Sequence, residues 1–141
     1  MYNVVLPLRF AMMRRKERQV FDWLLTYEDH NKERKERCET MEDTDRIAEI
    51  LVRCVRGIDR DLAVRIVGIL FTNCYELGAF GKQRRSFYPL VCLINHSCIP
   101  NLRKVPTLRG GKVVMKLESQ RAIRRGSQLT VRYNNGYHEV N

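Results

Sequence analysis

The order of hydrophobic and polar positions divides the chain into a helical first half and a second half of short strands and loops. Over residues 10–28 the apolar positions recur on one broad face at helical spacing, which predicts an amphipathic helix. Residues 28–45 are almost wholly polar and fit either a solvated helix extension or a loop. Within them, Thr40 followed by Asp43 resembles a capping box, which would mark the start of another helix.

Two further helices are expected before residue 72. The first covers about 43–56 and stops at Gly57, since glycine readily adopts the left-handed conformation that ends helices. Its expected buried residues are Ile47, Ile50, Leu51, Cys54 and Val55. The second begins after Asp59 and is apolar on nearly all sides, so we expect it to be the most buried helix.

Glycine and proline break the sequence after Phe71 into short pieces. Residues 112–118 and 128–133 alternate between apolar and polar positions, which predicts two strands, and Gly110-Gly111 suits a hairpin turn before the first. The residues expected to share a face are Val113, Met115 and Leu117 in one strand and Leu129, Val131 and Tyr133 in the other. Helices followed by short strands indicate the α+β class.

Composition indicates one basic globular domain. The chain has 141 residues, 44% of them hydrophobic, and a formal net charge of +10. This charge predicts attraction to polyanions or to acidic protein surfaces, but it fits a solvated surface equally well. Basic clusters such as Arg14-Arg15-Lys16 keep a nucleic-acid-binding domain among the alternatives.

The cysteines indicate a reducing compartment. There are five, an odd number, with no C-x-x-C pair and no secretory signal before them. No apolar run approaches the ~20 residues that span a bilayer. We therefore expect no membrane association and a soluble protein of the nucleus or cytoplasm.

The stretch from Asn95 to Asn101 concentrates the candidate chemistry. An apolar run leads into four polar groups of different kinds, and each polar group beside a core needs a partner. The amide of Asn95 offers a donor and an acceptor together, which suits the edge of an adenine. Alternatively, Asn95 and His96 cap a turn and Cys98 is a small core residue.

Asn95-His-Ser-Cys-Ile-Pro-Asn101 resembles the N-H-S-C-x-P-N signature of SET domains. Flanking segments, in the expected order, are similar to the SET-and-MYND (SMYD) subfamily, with features of its arthropod-type members. These segments are Leu6-Pro-Leu-Arg9, Trp23-Leu-Leu25, Glu28-Asp-His30 with Arg34, Thr72-Asn-Cys-Tyr-Glu-Leu77, Phe87-Tyr-Pro89, Arg121-Ala-Ile-Arg-Arg-Gly126 and Leu129-Thr-Val-Arg-Tyr133.

The resemblance implies a lysine methyltransferase that uses S-adenosylmethionine and acts on a histone or non-histone protein. It assigns cofactor contacts to Asn73, Cys92, Asn95 and His96. It assigns to Tyr133 a catalytic place beside the lysine channel, where the alternative is a strand aromatic facing the core. In many members the residue matching Cys98 joins three post-SET cysteines on zinc.

Methyl transfer itself asks the protein mainly for alignment of the two reactants. The substrate lysine, with a free pKa of about 10.4, must also lose its proton. An apolar, aromatic channel favours the neutral amine, and a nearby sulfonium repels the ammonium.

The same resemblance divides the chain and indicates an incomplete copy of the fold. Residues 1–71 resemble the helical insert of a SMYD-type SET domain, 72–134 its C-terminal core, and 135–141 a tail. The G-x-G segment, the MYND finger and the post-SET cysteines are absent from the sequence, so we expect no zinc in this chain and weak or no activity alone. A catalytically inactive SET-like interaction module is the alternative function.

Overall fold

A computed structural model describes residues 4–36, 41–77 and 85–133. The chain forms two compact units, residues 1–87 and residues 88–141, and each is described by itself. The first, the helical unit, contains α1 (Val5–Lys16), α2 (Arg18–Leu24), α3 (Asn31–Glu36), α4 (Met41–Cys54), α5 (Arg60–Asn73), β1 (Tyr75–Glu76) and β2 (Arg85–Ser86). The two short strands pair antiparallel, with Tyr75 opposite Ser86.

The single helix predicted over 10–28 is wrong in its bounds and in its continuity. The structure has α1 from Val5 and α2 to Leu24, separated at Glu17, where φ is −139° and ψ is 59°. The Glu17 N–H still donates to Met13 O (2.8 Å), so the chain bends without losing this bond. Residues 14–19 around the bend are all polar, and apolar positions resume at Val20 with helical spacing, so the pattern favoured one continuous helix.

The polar stretch 28–45 contains the short helix α3 and the start of α4. The predicted capping box at Thr40 lies outside the described residues. The predicted helix 43–56 is observed as α4, and Gly57 follows it with a φ of +86°, as expected for a residue that ends a helix.

The expectation that Cys54 is buried is wrong, because its side chain is exposed. Helix α4 buries Thr44, Ala48 and Leu51, and Val55 just beyond its end continues that face. Cys54 precedes Val55 by one position, about 100° around a helix with 3.6 residues per turn, and so lies off the buried stripe.

Helix α5 is the most buried helix, as predicted. Six of its residues are buried: Ala63, Ile66, Val67, Gly68, Ile69 and Leu70. The Asp59 carboxylate caps its N-terminus by accepting from Leu62 N–H at 2.8 Å. An aromatic cluster completes this core, with Phe87 5.6 Å from Tyr27 and 6.2 Å from Phe10 between ring centroids.

The second unit, the motif unit, carries the strands. It contains α6 (Pro89–Cys92), β3 (Asn95–His96), β4 (Leu102–Arg109), β5 (Lys112–Ser119) and β6 (Thr130–Val131). Strands β4 and β5 form an antiparallel hairpin whose register runs from Leu102–Ser119 to Arg109–Lys112. The predicted turn at Gly110 and Gly111 is confirmed, with φ of +55° and +73°, values that glycine adopts without strain.

The first predicted strand is confirmed, but the second is shorter than predicted. In β5 the residues Val113, Met115 and Leu117 are half-buried, and the intervening ones are more exposed. Only Thr130–Val131 of residues 128–133 forms a strand. Val131 is fully buried, whereas Leu129 and Tyr133 are each 46% exposed, so they do not share its core-facing role.

The α+β class predicted from the sequence is confirmed, with five helices preceding all of the described strands. The compact units divide after Phe87, while the last helix of the helical unit ends at Asn73. The division into an insert over 1–71 and a core over 72–134 stays a prediction, and the tail 135–141 lies outside the described residues.

Candidate active site

The signature segment is held beside the end of the described chain by a short parallel pairing. Strand β3 pairs with β6, with Asn95 opposite Thr130 and His96 opposite Val131. The Ser97 N–H extends the pairing by donating to Val131 O at 3.0 Å. Two segments separated by more than thirty residues of sequence thereby become neighbours, and their side chains share one site.

His96 and Tyr133 are in direct contact. The Tyr133 N–H donates to His96 Nδ1 at 3.0 Å, and the two rings meet edge to face with centroids 5.3 Å apart. Because Nδ1 accepts this bond, the neutral imidazole carries its proton on Nε2. The Cys98 sulfur lies 3.5 Å from that Nε2, where it can accept a weak hydrogen bond.

Asn95 presents a complete amide to solvent. Its residue is exposed, and within the described ranges its side chain makes no hydrogen bond. The amide therefore has both a donor and an acceptor available to a ligand.

Asn101, whose role the sequence did not suggest, fixes the position of β6. Its side-chain Oδ1 accepts from Thr130 N–H at 2.8 Å, and its Nδ2 donates to Gln128 O at 2.8 Å. The Asn101 amide thus makes the hydrogen bonds to the backbone of residues 128–130 that a neighbouring strand would otherwise make. The only available signal was its place at the end of the signature.

Lys104 is a second residue that sequence reasoning missed. Its Nζ donates to Tyr133 O at 3.0 Å. Burial lowers the pKa of Lys104, and the nearby charge of Cys92 acts in the opposite direction. Cys92, a predicted cofactor contact, is half-buried at the end of α6 and interacts electrostatically with this lysine. No sequence pattern marks Lys104, because its significance depends on the tertiary contact.

Asn73, the remaining predicted cofactor contact, belongs to the helical unit. Its Nδ2 donates to Ile69 O at 2.8 Å and to Glu28 O at 2.9 Å. The neighbouring Thr72 hydroxyl donates to Asp29 O at 2.9 Å. These bonds join the end of α5 to the backbone that precedes α3, and the cofactor contact itself stays a prediction.

Within the part of the chain that the structure describes, the site residues provide no ligand set for a metal ion. A structural zinc ion takes four ligands, usually cysteine and histidine. Of the predicted set, Cys98 has His96 beside it, but no group of three or more His, Cys, Asp or Glu residues suited to a metal exists in the described ranges. The described cysteines are free thiols, and Cys38 lies outside those ranges.

The helical unit contains a cavity of about 530 Å³ that no sequence pattern predicted. Seven of its nine lining residues are polar or charged, and several of these charges are already paired. Arg60 lies 2.8 Å from Asp45, and Arg65 lies 3.1 Å from Asp29. The remaining lining residues are Asn31, Lys35, Met41, Asp61 and Val64.

The profile of the SET domain family matches residues 10–134, and the chain therefore belongs to this family. SET domains are generally protein-lysine methyltransferases that bind S-adenosylmethionine. Neither a search of curated proteins nor a search of solved structures returned a match to this chain. None of the helices in the described ranges has the length and apolar character required to cross a membrane.

Proposed function

We propose that this chain is part of an S-adenosylmethionine-dependent protein-lysine methyltransferase of the SMYD-like, arthropod type. In this proposal Asn95 and His96 hold the cofactor, Cys92 lines the same pocket, and Tyr133 borders the channel for the substrate lysine. The observation that carries it is the contact between His96 and Tyr133, which joins a proposed cofactor residue to the proposed catalytic one.

The groups at the site suit this cofactor. The Asn95 amide offers the donor and acceptor that an adenine edge requires, and its residue is exposed. When bound, S-adenosylmethionine supplies an electrophilic methyl group on a sulfonium.

Tyr133 is suited to the substrate side of the site. Its ring is fixed against His96, and at 46% exposure it remains accessible to an incoming side chain. A phenol there can exchange a hydrogen bond with the lysine nitrogen, and its ring provides an apolar wall. The half-buried cation Lys104, bonded to Tyr133 O, adds positive charge that disfavours an ammonium nearby.

The isolated chain is expected to be weakly active or inactive. Its 141 residues contain no G-x-G segment, and in the proposed family this segment forms part of the cofactor site. We propose no role for zinc, because the described residues near Cys98 do not provide a ligand set. The proposed substrate is a protein lysine, histone or non-histone, and the proposed location is the nucleus or cytoplasm.

Incorporation of a radiolabelled methyl group from S-adenosylmethionine into lysine-containing peptides tests the proposal. The unmodified chain should give slow but lysine-dependent incorporation, which Tyr133→Phe and Asn95→Ala should each reduce by at least about tenfold. Tyr88→Phe is the matched control, since it removes another tyrosine hydroxyl of the motif unit, one that donates to Val113 O.

Measurable incorporation by the unmodified chain that Asn95→Ala leaves unchanged would contradict the proposed site. Isothermal titration with S-adenosylmethionine examines the expectation of weak activity separately. Micromolar affinity of the isolated chain would show that the cofactor pocket is complete and that this expectation is wrong.

A further inference from the structure

The positive charge of the molecule is concentrated in the motif unit. Described residues 88–133 contain nine lysines and arginines and a single carboxylate, Glu118. The nine cations are Arg103, Lys104, Arg109, Lys112, Lys116, Arg121, Arg124, Arg125 and Arg132. The described residues of the helical unit, by contrast, carry nearly balanced charges.

The one carboxylate does not offset the charge around the site. Glu118 is bonded to Arg103 at 2.6 Å and to Lys116 at 2.9 Å, on the β4–β5 hairpin. The ion pairs of Glu118 therefore lie on the hairpin, and neither of them involves Arg121 or Arg132.

Three of these cations are bonded to the backbone of the site itself. The Arg132 guanidinium donates to Cys98 O at 2.6 Å, Arg121 donates to Ile99 O at 3.4 Å, and Lys104 donates to Tyr133 O. A carbonyl oxygen is neutral, so these bonds fix each cation in place without removing its charge. The result is a set of fixed positive charges around His96 and Tyr133.

A loop rich in arginine adds to this charge. Residues 120–128, here called the arginine loop, carry Arg121, Arg124 and Arg125, all exposed, and no acidic residue. Asn101 ties both ends of the loop. Its O accepts from Gln120 N–H at 2.9 Å, and its Nδ2 donates to Gln128 O at 2.8 Å. The arginines therefore stay attached to the signature segment.

Exposed apolar side chains are interleaved with these charges. Ile99, within the signature, is 75% exposed, and Leu129, beside the arginine loop, is 46% exposed. A peptide can satisfy both kinds of contact with alternating acidic and apolar side chains, whereas a nucleic-acid backbone offers phosphates to the cations alone.

We propose that the motif unit binds a lysine embedded in an acidic protein segment, which makes an acidic rather than a basic sequence the substrate of the site. This inference rests on the proposed methyltransferase function and specifies its substrate class. Carboxylates on either side of the lysine would pair with Arg132 and with the three arginines of the arginine loop. A basic sequence such as an arginine-rich histone tail would be repelled by the same charges.

Three peptides of equal length, each with one central lysine, provide the test. The flanking positions are glutamate in the first, glutamine in the second and arginine in the third. Binding to the full chain is measured by fluorescence anisotropy, and methyl incorporation is measured in parallel. We expect the glutamate peptide to bind at least about tenfold more tightly than the arginine peptide, and the preference to weaken as salt is raised.

Two matched double variants locate the surface. Arg124→Gln with Arg125→Gln removes two charges from the arginine loop and should weaken binding of the glutamate peptide about three- to tenfold. Arg109→Gln with Lys112→Gln removes two charges at the turn of the hairpin, seven residues along β4 from Leu102. At ~3.3 Å per residue this turn is ~20 Å from the start of β4, beyond the screening length at physiological salt, so binding should change less than twofold.

The outcomes separate this inference from the proposed function. Equal methylation and binding of the three peptides would overturn the acidic substrate and leave the methyltransferase standing. Binding of none of the three peptides would overturn the substrate assignment, and failure of the chain to bind S-adenosylmethionine would overturn the proposed function and the substrate assignment with it. Displacement of the glutamate peptide by a 20-base-pair DNA duplex at lower concentration than by unlabelled peptide would overturn the inference in favour of nucleic acid.

Discussion

The backbone N–H of Tyr133 donates to Nδ1 of His96 at 3.0 Å, and the two rings lie edge to face. This relationship fixes both the tautomer of the imidazole and the direction of the tyrosine. It depends on the parallel pairing of β3 with β6, which places His96 opposite Val131, two residues before Tyr133.

Replacing His96 should release Tyr133. His96→Phe keeps an aromatic ring but removes the Nδ1 acceptor, and His96→Ala removes both. Loss of a hydrogen bond contributing about 1 kcal/mol should accelerate hydrogen exchange of the Tyr133 amide on the order of fivefold in both variants. Exchange followed by NMR is the measurement, and His30→Asn in the helical unit is the control that should leave this rate unchanged.

Asn101 should contribute to stability more than an exposed asparagine usually does. In Asn101→Ala the Thr130 N–H and the Gln128 carbonyl lose their partners, so the free energy of unfolding should fall by about 1–3 kcal/mol. Asn101→Asp retains the acceptor for Thr130 N–H and should lose less. Urea unfolding distinguishes the two, and equal stability of Asn101→Ala and the unmodified protein would contradict this role.

The hairpin should lose stability in acid through Glu118. Its hydrogen bond to Lys116, followed by that to Arg103, lowers the pKa of Glu118 to about 2. Because the folded-state pKa lies below the ordinary value of about 4.3, the stabilisation is present at neutral pH and is lost as pH falls from about 4 towards 2.

A carboxyl-detected NMR titration can follow this group directly. Lys116→Met should raise the pKa of Glu118 more than Arg103→Met does, since the bond to Lys116 makes the larger contribution. The reverse order would show that the contact with Arg103 dominates.

Gly68→Ala should destabilise the helical unit, although replacing glycine with alanine usually stabilises a helix. Alanine in a helix is normally favoured over glycine by about 1 kcal/mol. At Gly68 the new Cβ would meet the side-chain amide of Asn31, which is held by Val64 O at 3.3 Å and by Arg34 at 3.1 Å.

The expected loss in Gly68→Ala is about 1–3 kcal/mol of unfolding free energy, measured by urea unfolding. The double variant Asn31→Ala with Gly68→Ala should be less destabilised than the sum of the single changes, because the clash is absent. Strict additivity of the two effects would mean that Asn31 moves aside at no cost.

Local signals in the sequence were sufficient to predict where several helices of the helical unit begin and end. Gly57 and Asp59 mark the end of α4 and the start of α5 because a left-handed residue and a side-chain cap act within a few residues. The bend at Glu17 lies within the polar run 14–19, and the apolar positions at helical spacing on both sides of this run favoured one continuous helix. Cys54 was misplaced because one position on a helix separates a buried face from an exposed one.

Site residues could be predicted from the sequence only where they lie in a recognisable motif. The resemblance to SET domains pointed to His96 in the signature and to Tyr133 in the last segment, and the structure brings these two together. Asn101 and Lys104 act through backbone groups of residues 128–130 and 133 that are distant in sequence. Such bonds arise from the tertiary fold, and no spacing or periodicity in a single sequence encodes them.

The proposal that Asn95, His96 and Tyr133 wall a site for S-adenosylmethionine is tested most directly by NMR, which detects weak binding. Titration of the ¹⁵N-labelled chain with S-adenosylmethionine should shift the amide signals of these three residues, and Asn95→Ala should abolish the shifts. Adenosine, which lacks the sulfonium and the methionine portion, should produce smaller changes at Tyr133. If a saturating concentration of S-adenosylmethionine shifted none of these three signals, or shifted only signals of other residues, the proposed cofactor site would be contradicted.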